Sequence, residues 1–277
     1  MRLPGEFDVD LELRGEAAVI FGGARGIGEA IARAFSAEGA SVVVVDRDPI
    51  VVETAEKLSK GGSSPTLGIV ADVTDAASVG RSIDEVVARF GRCDHVVYAV
   101  GMGSGKFGFP FWNVDPTDWE PVFRVNLFGA VNVAHAVGPA MSKAKSGTLL
   151  FLSSIAGQIG SQTDPPYSAA KAALINFAQC AAKDLAGSGV RVNTLCPGMV
   201  KTDLNRSVWA AWANRQPEES RLSYEDWTAE KILKMVPLNR WQTVEDIAAM
   251  AVFLASRRAH NVTGQTINVD GGFVMHW

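Results

Sequence analysis

The apolar run Ala17 to Phe21 ends at Gly22-Gly23-Ala24-Arg25-Gly26-Ile27-Gly28, and the segment from Ala30 to Phe35 then shows helical periodicity up to Gly39. A second apolar strand, Ser41 to Val45, ends at Asp46. Strand, glycine turn, helix and strand in this order restrict the chain to folds built on a parallel sheet. Glycines let the backbone approach a pyrophosphate closely, and a helix start offers unpaired N–H groups and the positive end of its dipole. Asp46 follows Gly28 at close to the roughly 20-residue offset at which an acid binds an adenine ribose diol. An ordinary tight turn would carry the glycines alone; the full setting reads as a dinucleotide site.

The same alternation continues, with a third strand near 67–71, a helix over about 75–90 and a fourth strand at 95–99. Parallel strands joined by right-handed crossovers imply an α/β, Rossmann-type doubly wound sheet with ligands at the carboxyl ends of the strands. A length of 277 residues with 47% hydrophobic content suits one such domain spanning 1–277, with no second domain needed. Gly61-Gly62-Ser63-Ser64-Pro65 reads as a surface loop. The net charge of −4 and the lack of a dense Lys/Arg cluster argue against nucleic acid or an anionic membrane as partner and leave a small molecule. Three cysteines, Cys93, Cys180 and Cys196, show no metal-like spacing and fit a reducing compartment. Residues 1–10 lack the parts of a secretion signal, and no apolar stretch reaches the roughly 18 residues of a membrane span, so a cytoplasmic location is expected.

Chemistry enters with Tyr167, followed at i+4 by Lys171, and with Ser154 upstream of both. A tyrosine titrates near ~10 and cannot easily cycle its proton at neutral pH unless its surroundings change that value. If 167–186 is one helix, the Lys171 ammonium shares a face with the phenol and favours the phenolate. Ser154 follows the apolar strand 148–152, whose carboxyl end would present its hydroxyl to a substrate oxygen. A Tyr–Lys pair alone is commonly a surface helix pair, so its weight comes from sharing a chain with the nucleotide motif.

Gly22-x-x-x-Gly26-x-Gly28, Asn126, Ser154, Tyr167 and Lys171, together and in order, resemble the short-chain dehydrogenase/reductase family. Asp72-Val73, Pro197-Gly198-Met199-Val200-Lys201-Thr202 and Asn268-Val269-Asp270-Gly271-Gly272 extend the resemblance over almost the whole chain. It implies hydride passed between a nicotinamide and a carbonyl carbon, with Tyr167 moving the oxygen's proton and Ser154 steadying that oxygen. Lys171 is similar to the family lysine that also holds the nicotinamide ribose. Asn126 would seat a water linking Lys171 to solvent, or satisfy backbone groups in a bent helix. The implied cofactor contacts are Gly22, Arg25, Gly26, Ile27, Gly28, Asp46, Asp72, Val73, Ala99 and Gly101, then Tyr167, Lys171, Pro197, Gly198, Val200 and Thr202. Family dimers and tetramers pair helices similar to those flanking Asn126 and Tyr167, which implies a homo-oligomer, a tetramer or a dimer.

Three departures accompany the resemblance. Phe21 stands where the family usually has threonine, Tyr98-Ala99-Val100-Gly101 keeps only the glycine of an asparagine-containing turn, and basic residues stand inside the loop, at Arg25, and just after the acid, at Arg47. The Asp46 carboxylate would accept both ribose hydroxyls and repel a 2′-phosphate, which favours NAD, while the two arginines keep NADP open.

Two insertions interrupt the alternation, 102–116 and a small helical lobe at 201–241, and both are expected to form the substrate cleft. In the lobe Leu204, Val208 and Trp212 recur at helical spacing beside Trp209, with Trp227, Met235 and Trp241 beyond. That face reads either as core packing or as a lid over a hydrophobic, ring-containing substrate. The histidines His95, His135, His260 and His276 are scattered and read as structural, so no metal is expected. Asp8, Asp10 and Glu12 read as a solvated acidic face, and Trp277 as a contact to another subunit or to its own surface. The leading expectation is an NAD-dependent dehydrogenase of a secondary alcohol and its ketone. The alternatives are an NADPH-dependent 3-oxoacyl or polyketide-type ketoreductase, and a non-catalytic dinucleotide sensor, which would not need Ser154, Tyr167 and Lys171 together.

Overall fold

Seven short segments build the sheet, and the central ones, 17–21, 95–98 and 148–152, are fully buried, near-continuous apolar runs of the kind that strands covered on both faces need. The computed structural model describes residues 10–62 and 64–275. β1 (Ala17–Phe21), α1 (Gly26–Ala37) and β2 (Ser41–Asp46) form the first crossover, followed by α2 (Ile50–Gly61), β3 (Thr66–Val70), α3 (Ala76–Phe90) and β4 (His95–Tyr98). The chain then passes through α4 (Trp119–Phe123), a π-helical turn at Arg124–Phe128 and α5 (Gly129–Ala144). β5 (Thr148–Leu152), α6 (Pro165–Ala186) and β6 (Arg191–Pro197) follow. α7 (Asp203–Ala213) and α8 (Tyr224–Met235) precede α9 (Val244–Ala255) and β7 (Thr266–Val269).

The strand order is β3-β2-β1-β4-β5-β6-β7, with every neighbouring pair parallel. This is the expected doubly wound sheet. The order reverses between β1 and β4, where a crevice opens at the carboxyl ends of the strands. On one face Ile31 and Phe35 of α1 and Ile247 and Val252 of α9 pack against Val42, Val44 and Leu150. On the other, Val79 and Val86 of α3, Val133 and Val137 of α5, and Leu174 of α6 cover Val43, Val45 and Phe151. Each such side chain stabilises the fold by about 1.5–3 kcal/mol relative to exposure, and together they hold the strand ends rigid.

Three boundaries moved. β3 lies one residue earlier than expected and β4 stops at Tyr98. α6 begins at Pro165, before Tyr167, because Pro165 has no N–H to lose at the first helical position and Asp164 caps the helix by accepting from the Tyr167 N–H at 3.4 Å. Buried His95 is tied through Nδ1 to Thr148 Oγ1 and through Nε2 to Glu16 Oε2, both at 2.7 Å. Asp8, Ser63, His276 and Trp277 lie outside the described residues, as do the expectations placed on them. Among the described residues no helix is long and apolar enough to cross a membrane, and no group of three or more His, Cys, Asp or Glu is disposed to hold a metal.

Candidate active site

At the amino-terminal end of the cleft the backbone makes the shape. Gly22 has φ +83°, and a Cβ there would lie 2.9 Å from the Ala99 carbonyl carbon. A Cβ on Gly28 would lie 2.0 Å from the Gly22 carbonyl oxygen, so the turn closes only with glycine at both positions. Phe21, in place of a threonine, is fully buried, and the loop is held by the Gly22 N–H donating to the Val45 carbonyl at 2.8 Å. Arg25, the N-cap of α1, makes no side-chain cap, which leaves first-turn N–H groups at Gly26, Ile27 and Gly28 facing a cleft that these residues line.

The end of β2 carries the acid. Asp46 accepts from the Ala24 N–H at 3.3 Å and from the Asp48 N–H at 3.1 Å. The Arg25 guanidinium is paired with Asp48, whereas Arg47 is exposed at the mouth. Asp72 accepts from Thr74 through both N–H and hydroxyl at 2.8 Å, and the Val73 carbonyl accepts from Asn132 at 2.9 Å. Asp72, Val73, Ala99 and Gly101 line the same wall.

Ser154, Tyr167 and Lys171 line the same cleft, Lys171 lying beside Val100 and Gly101 of that wall. Ser154 lies just past β5 and accepts from the Ala156 N–H at 3.1 Å. The Lys171 ammonium lies 5.6 Å from the centre of the Tyr167 ring and donates to the carbonyls of Leu152 at 2.8 Å and Val100 at 3.5 Å. Burial draws the Lys171 ammonium down to about 8. Burial also pushes the Tyr167 phenol above its ordinary value, and the hydrogen bond with Ser154 acts in the opposite direction. The expected acidification is therefore not met: loss of water around the phenol is the largest influence, and the opposing one comes from Ser154.

Asn126 sits in the π-helical turn, fully buried behind the cleft wall. Its amide donates to the carbonyls of Met102 at 2.7 Å and Val122 at 2.8 Å and accepts from the Met102 N–H at 3.3 Å. Both amide hydrogens thus serve the backbone. A Cβ on Gly101 would lie 3.5 Å from both Asn126 Oδ1 and Lys171 Nζ, which brings the three residues to one point. Tyr98, in the departing turn, donates its hydroxyl to the Val125 carbonyl and so fastens the π turn to β4.

Pro197, Gly198, Val200 and Thr202 line the side beyond β6. A Cβ on Gly198 would meet Gln242 at 2.6 Å, Val200 is bridged to Gln242, and Thr202 caps α7 by accepting from the Asn205 N–H at 3.3 Å. The cleft measures about 960 Å³, at the upper end of the roughly 300–1,000 Å³ range of ligand sites. Leu204, Val208, Trp227, Met235 and Phe273 line its far end. Of the 102–116 insertion only Met102 reaches the wall, while Phe109, Phe111 and Trp112 are exposed. The expectation that this whole insertion shapes the cleft is corrected: Asn126 and Asp164 hold its first residues, while Gly108 and Val114 are buried away from the cleft and Phe109, Phe111 and Trp112 face outward.

Sequence reasoning passed over Asp164, Gln158 and Lys231, and gave Asn268 no part in the site. Buried Asp164 accepts from the Ser104 N–H at 2.7 Å as well as capping α6, and burial raises its carboxyl. Asp followed by two prolines is a helix-start pattern that would have found it. Gln158 and Asn268 exchange side-chain amide hydrogen bonds at 2.6 and 3.0 Å, joining the Ser154 loop to β7. No local signal in the sequence pairs residues so far apart.

Residues 22–274 match a family model described as enoyl-(acyl carrier protein) reductase. The 3-oxoacyl-(acyl-carrier-protein) reductase FabG of Thermotoga maritima is 32% identical over 265 residues, which cover 96% of this chain and 100% of that protein. The structure of L-sorbose reductase from Gluconobacter frateurii complexed with NADPH and L-sorbose superposes with a TM-score of 0.87 at 27% identity, over 97% of this chain and 100% of that one. NAD⁺-bound xylitol dehydrogenase superposes with a TM-score of 0.87 at 25% identity, over 94% of this chain and 100% of the other.

Proposed function

Because the chain belongs to the short-chain dehydrogenase/reductase family, whose oxidoreductases use NAD(P), we propose that it is an NAD-dependent enzyme interconverting a secondary alcohol and its ketone, with an apolar or ring-containing substrate. The observation that carries this reading is the convergence of Ser154, Tyr167 and Lys171 on the cleft whose other end is the glycine turn and Asp46.

The residues present fit a nicotinamide dinucleotide. Added Cβ atoms at Gly22 and Gly28 would collide with backbone, the α1 start offers free N–H groups, and Asp46 stands at the mouth. The dinucleotide, when bound, supplies the hydride acceptor or donor. The chain's own residues manage the proton and the geometry. The Tyr167 hydroxyl gives or takes the proton of the substrate oxygen, and Ser154 hydrogen-bonds that oxygen. Lys171, cationic at neutral pH and anchored on Leu152, supports negative charge developing on the phenol. Asn126 holds Met102 and Gly101 against this group.

NAD is favoured over NADP because Asp46 repels a 2′-phosphate and because Asp48 already engages Arg25. A second reading, an NADPH-dependent 3-oxoacyl ketoreductase, is supported by exposed Arg47 at the mouth and by the likeness to the Thermotoga maritima reductase. In the leading reading, residues 201–241 act as a lobe over the substrate, and the enzyme is a cytoplasmic homotetramer or dimer. Assaying the purified protein with NAD and NADP against aliphatic, cyclic, aromatic and sugar alcohols tests the reading. Highest kcat/KM with NAD and an apolar or cyclic alcohol is expected; a preference for NADPH and 3-oxoacyl thioesters would select the second reading.

A further inference from the structure

Lys231 differs from the other cations that line the cleft. Lys171 donates to backbone carbonyls, Arg25 is paired with Asp48, and Arg47 and Lys201 are exposed to solvent, Lys201 over the Trp241 ring. Lys231, on α8, is half-buried, and no hydrogen bond or ion pair joins it to the described residues. Its ammonium sits 3.9 Å from the centre of the Trp227 ring. An aromatic face compensates only part of the water that a half-buried ammonium has lost. Burial alone draws Lys231 down to about 8, so it keeps its charge at neutral pH.

The surroundings of Lys231 specify what it can receive. A smaller cavity of about 260 Å³ adjoins the main cleft and shares Trp227, Lys231 and Met235 with it. Apolar rings and an unpaired cation thus face one space. The neighbouring acid Glu230 is engaged by Lys234 at 3.0 Å and does not neutralise Lys231. Lys234 is spent on Glu230, so one lysine is left to receive one negative charge, whereas a phosphate dianion is ordinarily met by several donors or an arginine fork.

We propose that Lys231 binds a carboxylate on the substrate, so that the enzyme acts on hydroxy acids and oxo acids whose apolar body rests on Trp227 and Met235. This inference rests on the redox reading of the same cleft. The carboxylate is unchanged in the reaction: the alcohol carbon loses a hydride to the dinucleotide, and its oxygen loses a proton by way of Tyr167.

The probes are 4-oxopentanoate, 6-oxoheptanoate and 4-oxocyclohexanecarboxylate, each beside its methyl ester. They are titrated calorimetrically into enzyme saturated with oxidised NAD or NADP, a combination that cannot react. For the best member, the wild-type enzyme binds the acid more tightly than the ester by on the order of tenfold to a hundredfold. Lys231→Met, which keeps the stem over Trp227, removes that preference, and Lys231→Arg keeps it. In turnover with reduced nucleotide the same change falls on KM, with kcat little altered. Equal binding of acid and ester across the set, or an acid preference that survives Lys231→Met, overturns the carboxylate site. Acid-selective binding dependent on Lys231, with no hydride transfer to any probe, keeps the carboxylate site and removes the ketone reading instead.

Discussion

The two ends of the cleft are built in different ways. The nucleotide end is made by backbone from one short stretch: Gly22 to Gly28 turn β1 into α1, and Asp46 closes the next strand. The substrate end is made by side chains from distant stretches, Met102 after β4, Leu204 on α7, Trp227 and Lys231 on α8, and Phe273 after β7. A site formed by local backbone leaves a pattern of residue types at fixed spacing. A site formed by converging side chains leaves only a composition, here an abundance of aromatic and apolar residues.

Perturbing each end should separate them. Tyr167→Phe, between the two, is expected to lower kcat by about 10²–10⁴-fold while calorimetric NAD affinity stays close to wild type. Retained turnover would take Tyr167 out of the proton path. Gly28→Ala sets a methyl group 2.0 Å from the Gly22 carbonyl oxygen, so the turn must shift. A stability loss of about 1–3 kcal/mol in thermal unfolding and at least about tenfold weaker NAD binding are expected. Normal nucleotide affinity in that variant would mean that the cradle is not the binding surface.

Smaller effects sharpen the contrast. Asp46→Ala removes the carboxylate that discriminates against a 2′-phosphate, and the ratio of kcat/KM for NAD to that for NADP should fall about tenfold. An unchanged ratio would assign selectivity to the arginines. Glu16 lies just before β1, at the amino ends of the strands and opposite the cleft, where its hydrogen bond to His95 holds its carboxyl below the usual range. The stability that this provides is full above the unfolded value near ~4.3 and is lost as pH falls through the lowered folded value. Glu16→Gln should therefore cost about 1 kcal/mol at neutral pH and flatten the acid limb of a thermal-stability profile, without touching activity.

Much of the fold was legible in the sequence because each βα crossover carries its own periodicity and turn residues; the parallel, doubly wound sheet followed from that alternation, and the structure supplied the strand order. The residues of the candidate site were legible as types at spacings, and their environments were not. Lys171 was expected to lower the Tyr167 phenol, yet burial is the larger influence on both groups, and burial is a property of the packed chain. Asn126 was given two readings, and only its position in the π turn shows its amide hydrogens taken by Met102 and Val122. The first insertion was expected to form cleft wall, but Asp164 takes its Ser104 N–H and the aromatic residues beyond are exposed.

The sequence alone determined the parallel sheet, the glycine turn, the acid after β2 and the order Ser154, Tyr167, Lys171, because steric limits on glycine turns and the periods of helix and strand act between near neighbours. Tertiary structure decided how dry the Tyr167 and Lys171 pocket is, which insertion lines the cleft, and that Lys231 meets no anion among the described residues. Those outcomes depend on which distant surfaces meet and exclude water, and no local spacing encodes that.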